Sequence, residues 1–165
     1  MLRQFLLRLI LEEAIRREEE AYRFYEAALE PVREPAARKL LRRLCAEELR
    51  HRLKLEEQQR SGEVDLAVEA VNAEEEELLA DAGLAPGLLA PVPGLLAPTP
   101  AAVLADLRPA DVWRLALRKE RLAVAHYGLL SRKVALRLPR RVFVFLAAQE
   151  SRHVKWVLSA LEAQA

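Results

Sequence analysis

Apolar residues recur at steps of three and four along four segments of the chain, and each segment reads as an amphipathic helix. In the first, Leu7, Leu11, Ala14, Glu18, Tyr22, Tyr25 and Leu29 fall on one stripe. The second begins around Pro35, a residue suited to a helix's first turn, carries Ala37, Leu41, Leu44, Glu48, His51 and Leu55 on one face, and ends near Ser61 and Gly62. The third starts after Pro109 with Asp111 as its cap, and places Trp113, Leu117, Glu120, Val124, Tyr127, Ser131 and Val134 on its stripe. Phe143, Leu146, Glu150, His153, Val157 and Leu161 make the stripe of the fourth. In all four, a carboxylate or an imidazole interrupts an otherwise apolar face. The helix pitch turns Glu19 and Glu20 about 100° and 200° away from Glu18, so these two are expected to face solvent.

The connections set the order of packing. A short link from Pro31 to Pro35 joins the first two helices, and a few residues around Pro139 join the last two, so each pair is expected to form an antiparallel hairpin, over 3–60 and 110–164. Residues 61–109 are far too many for a tight turn and predict a long crossover between helices 2 and 3. Within it, Val64 to Ala82 reads as an extra helix with Val68, Val71, Leu78 and Leu79 on one side, and Glu74 to Glu77 as its solvated end. From Gly83 to Pro109 the text is rich in Pro, Leu and Ala, with a near-repeat of GLLAP at Gly87 and Gly94. That composition predicts a loop lying on the bundle or on a partner.

Composition narrows the class. A chain of 165 residues and 18.7 kDa suits one domain, and 52% hydrophobic content with little Gly favours helices throughout. The 26 basic residues balance 25 acidic ones and are spread along the chain, so no nucleic-acid footprint is expected. Cys45 is the only cysteine, which excludes an internal disulfide and a four-cysteine metal centre and suits a reducing cytoplasm. The opening MLRQFLLRLIL is broken by Arg8 and reads as the start of a helix, and no segment has the apolar length of a membrane span. Phe5, Leu6, Leu9 and Ile10 make the first helix apolar on more than one side and predict burial against a second copy, most simply a dimer.

The interruptions of the stripes carry the chemistry. Glu18, Tyr25, Glu48 and His51 are echoed by Glu120, Tyr127, Glu150 and His153, each 102 positions later. Buried carboxylates are costly and repel one another, so four of them on inward faces require neutralisation. Two divalent cations would supply it, with His51 and His153 adding one nitrogen ligand apiece. In Glu-x-x-His the two side chains sit on adjacent turns of one face and can approach a single ion. The alternative is two surface histidines with glutamates three positions before them. With 21 Glu in the chain, four required Glu positions relative to two histidines coincide by chance with a probability on the order of 10⁻⁴, which favours the metal reading. Mixed oxygen and nitrogen ligation points to iron first, manganese second and zinc last.

The segments EEEAYRFY (Glu18 to Tyr25), AEELRH (Ala46 to His51), ERLAVAHY (Glu120 to Tyr127) and QESRH (Gln149 to His153) resemble the ligand helices of the rubrerythrin branch of the ferritin-like superfamily. The resemblance covers both hairpins and leaves the crossover unmatched. It implies an all-α, ferritin-like antiparallel four-helix bundle holding two iron ions. Glu48 and Glu150 would bridge them, Glu18 and Glu120 bind terminally, His51 and His153 each cap one, and Tyr25 and Tyr127 donate to carboxylates across the bundle. This chain lacks the cysteines of a rubredoxin-type centre, so electrons would come from an external donor, and Ala123 stands where the family carries a further carboxylate.

Other residues carry weaker signals. His126 lies off the ligand stripe, Cys45 packs as a small hydrophobe, and Tyr22, Trp113 and Trp156 read as core or interface aromatics. The function expected is a di-iron oxidoreductase reacting with peroxide or oxygen or oxidising ferrous iron. Iron storage in a multi-subunit shell, hydroxylation of an organic substrate and a helical interaction protein with a structural metal are the alternatives.

Overall fold

The computed structural model describes residues 2–61, 104, 107–133 and 137–163. The expected helix at 64–82, the Pro-rich stretch to residue 103 and Val134 lie outside the described residues. Four long helices, α1 (Leu2–Ala28), α2 (Pro35–Ser61), α3 (Pro109–Lys133) and α4 (Arg137–Glu162), and no strand among the described residues make the fold all-α. No described helix is long and apolar enough to cross a membrane.

Contacts group the helices into two compact units, one containing α1 and α2 and the other containing α3 from Trp113 onward together with α4. In the first unit the link between helices closes tightly. α1 ends in turn hydrogen bonds from Leu29 N–H to Glu26 and from Glu30 N–H to Ala27. The Arg38 guanidinium donates to the carbonyl oxygens of Leu29 and, at 2.9 Å, of Val32. Glu34 caps α2: its carboxylate accepts the backbone N–H of Ala36 at 2.9 Å and also that of Ala37. Glu is an uncommon cap, but with Pro35 filling the next position its two oxygens meet amides that have no helical partner.

Along α2 the expected stripe is buried at every position: Ala37, Leu41, Leu44, Glu48, His51 and Leu55, with Gln58 continuing it. On α1 the buried set is Leu11, Ala14, Glu18, Phe24, Tyr25 and Ala28; Tyr22 and Leu29 are half-buried. Glu19 and Glu20 depart from expectation. Both are half-buried, Glu19 in ion pairs with Arg23 and Arg52 and Glu20 in one with Arg16.

In the second unit, Trp113, Ala116, Glu120, Val124, Tyr127 and Ser131 are buried on α3, and Val142, Phe143, Leu146, Ala147, Glu150, His153 and Val157 on α4. Contacts between the two helices nest in the antiparallel sense. Tyr127 stacks on Phe143 with centroids 6.2 Å apart, and further from the link Glu120 meets His153. Two boundaries differ from the sequence expectation. Asp111 is not the cap of α3; the helix starts at Pro109, and Asp111 sits in its first turn, where it pairs with Arg108 at 2.8 Å. α4 starts at Arg137, before Pro139, because a proline in a first turn forfeits no helical hydrogen bond.

Candidate metal centre

Each unit holds one buried cluster of two carboxylates and an imidazole. In the first, Glu18 projects from the middle of α1, and Glu48 and His51 from adjacent turns of α2. Their exposures are 2%, 1% and 1%, and their ligand atoms lie within 4.8 Å of one another. His51 Nδ1 is 3.0 Å from Glu18 Oε2 and 3.7 Å from Glu48 Oε2. In the second unit, Glu120 of α3 meets Glu150 and His153 of α4, with ligand atoms again within 4.8 Å. Here His153 Nδ1 is 3.4 Å from Glu120 Oε2 and 3.2 Å from Glu150 Oε2. The structure thus brings the six expected residues together as two threes, one per hairpin. In both, Nδ1 is the ring nitrogen turned toward the carboxylates.

Charge tests whether these residues suit a metal. Two ionised carboxylates and a neutral imidazole leave each cluster at about −2, buried where an isolated charge costs several kcal/mol. A divalent cation brings that charge to zero. Oxygen and imidazole nitrogen donors are the ligands that iron or manganese takes, and the absence of thiolate argues against a closed structural zinc site. The donor set therefore fits one divalent ion per hairpin.

The surroundings hold the ligand turns in place. Glu19 and Arg52, each next in sequence to a cluster residue, form an ion pair from α1 to α2, extended by Arg23 and by Glu56 at 3.3 Å. Burial pushes the Glu19 carboxyl up, but the hydrogen bonds from Arg23 and Arg52 outweigh it and hold the group below the ordinary range. Tyr25 and Tyr127 are fully buried in their respective hairpins, Tyr25 edge-on to Phe24 at 5.2 Å. Cys45, one turn before Glu48, is half-buried. Desolvation, with the Glu26 and Glu48 charges, pushes its thiol up to about 11, so it packs as a neutral group and not as a nucleophile.

His126 is half-buried on α3 with its ring edge-on to Tyr127, apart from the cluster residues on the helix. Trp113 is wholly buried, whereas Tyr22 is half-buried and donates its hydroxyl hydrogen to Glu26 at 3.1 Å. Sequence reasoning missed two supporting contacts: the Glu19–Arg52 pair and the packing of Trp156 against His153. The second had a signal in the text, an aromatic residue three positions after the histidine. The first could not be seen without the register between α1 and α2.

Comparison with known proteins bears on the first hairpin. The rubrerythrin family model matches residues 3–59, which takes in Glu18, Tyr25, Glu48 and His51. No curated protein and no solved structure matches the chain. Residues 3–59, the stretch that holds α1 and most of α2, are thus similar to the rubrerythrin family.

Proposed function

Taking the chain as rubrerythrin-like, we propose that it is a non-haem di-iron oxidoreductase in which Glu18, Glu48, His51, Glu120, Glu150 and His153 together hold two iron ions. The observation that carries this reading is the duplicated buried trio: two hairpins place the same three donors, at the same spacing, on inward faces. The family resemblance implies that Glu48 and Glu150 would bridge the ions and that Glu18 and Glu120 would bind terminally, while the mixed oxygen and imidazole donors leave manganese as the substitute metal.

Two bound ferrous ions would supply two electrons to peroxide or oxygen, each ion becoming ferric as the oxidant is reduced. The side chains do the rest. Four carboxylates balance the charge of two divalent ions, His51 and His153 offer neutral nitrogen donors through Nδ1, and the apolar residues around them exclude water. Tyr25 and Tyr127, each on the stripe of a terminal Glu, orient carboxylates by donating a hydrogen bond when a metal has drawn the oxygens into place.

For a reductase reaction the electrons would come from an external donor, since Cys45 is the only thiol in these 165 residues. The working form is taken as a homodimer in the cytoplasm, a reading that rests on the apolar Phe5, Leu6, Leu9 and Ile10 and on the single cysteine of the sequence. Anaerobic loading with ferrous iron tests the reading. Two irons per chain and a prompt optical change on adding peroxide or oxygen are expected. Many irons per chain would favour storage, and no optical change with either oxidant would end the oxidoreductase reading.

A further inference from the structure

The two buried trios match in their donors and differ in what supports each histidine. In the second hairpin the Trp156 indole lies against the His153 imidazole, ring centroids 5.4 Å apart and planes inclined by 30°. One helical turn separates the two residues; His153 is buried and Trp156 half-buried, so the indole covers part of a ring that belongs to the cluster. At the equivalent position of the first hairpin stands Lys54, an exposed residue. That hairpin has instead the ion pair between Glu19 and Arg52, and the corresponding residues of the second, Arg121 and Val154, cannot form it with each other.

We propose that Trp156 is a positioning residue for His153, holding the imidazole so that Nδ1 faces Glu120 and Glu150. The inference rests on the metal-binding reading above. A quarter-turn about the Cβ–Cγ bond would swing Nδ1 out of line with both carboxylates and remove the nitrogen donor from the cluster. An indole packed against the ring opposes that rotation. In the first hairpin the ion pair ties the turn that carries Glu18 to the turn that carries His51, so the two trios are built alike and braced differently. Groups that orient a ligating histidine typically change metal affinity by about 10- to 100-fold when removed.

The test is an anaerobic titration of the full chain with cobalt(II), read by equilibrium dialysis and by the visible absorption of the bound ion, with helicity followed by circular dichroism. The wild type and Lys54→Ala are expected to bind two equivalents alike. Trp156→Ala should weaken one of the two about tenfold and change the intensity of the cobalt bands, and Trp156→Phe should restore both. Trp156→Leu keeps apolar bulk without a planar face and should weaken the same equivalent. Unchanged affinity and spectrum in Trp156→Ala and Trp156→Leu would overturn the inference while leaving the metal reading standing, as would a loss that Phe does not restore. A wild-type chain that binds neither cobalt nor iron would overturn the metal reading itself.

Discussion

Glu48 shows how a single side chain can be a liability in one state and an asset in another. It is 1% exposed, one turn from His51 and within ligand range of Glu18, so in the metal-free chain two carboxyl groups share one buried cluster. Glu48→Gln should therefore stabilise the metal-free chain, by about 1–2 kcal/mol, and weaken iron binding. Denaturant unfolding with and without ferrous iron checks this; a variant equally destabilised in both conditions would show that the carboxylate serves packing alone. Glu19 makes the opposite case. Its carboxyl is held below the ordinary range, so its pairing with Arg23 and Arg52 contributes stability that is complete above the unfolded value, about 4.3, and is lost as pH falls through the lower folded value. Glu19→Gln should flatten the acid limb of the stability curve, and an unchanged limb would exclude the pair as its source. At this scale the sequence was a good guide to which carboxylates and histidines are buried together and a poor one to their neighbours. The stripe selected Glu18 over Glu19 and Glu20 because a buried face has a period. It passed over Phe24, which is 2% exposed, because that residue sits beside the stripe and not on it.

Helix ends were less legible than helix faces. All six expected positions of α2 are buried, since a continuous apolar stripe leaves one way to rotate the helix. Termini depend on local hydrogen bonds that several residues can make. Asp111 looked like a cap but occupies the first turn of α3, and the carboxylate that does cap a helix is Glu34, a residue type rarely chosen for that role. Its substitution gives a prediction at the scale of the element: Glu34→Ala should cost about 1 kcal/mol by leaving the amides of Ala36 and Ala37 without their acceptor, with no effect on metal binding. Thermal melts and iron titration of the variant separate the two effects. A change in iron stoichiometry would mean that the cap also sets the register of α1 against α2. Pro139 illustrates the limit from another side: it marks the neighbourhood of the second link, while the helix itself starts two residues earlier.

For the whole molecule, the all-α fold and two antiparallel hairpins follow from four stripes and two short links, and the same stripes predict which residues meet within each hairpin. What periodicity does not convey is the part of the chain without it: the expected crossover helix and most of the Pro-rich stretch lie outside the described residues. The central proposal is that the two trios hold two iron ions, which the family resemblance reads as one dinuclear centre. Stoichiometry alone would not separate one dinuclear centre from two independent ions. The direct measurement is electron paramagnetic resonance, with iron analysis, on the chain loaded anaerobically with two ferrous ions and then oxidised. Carboxylate bridges from Glu48 and Glu150 would couple the two ferric spins, so the account predicts two irons per chain and no signal from isolated ferric ions. A full-intensity signal from uncoupled ferric iron, or no retained iron, would contradict it.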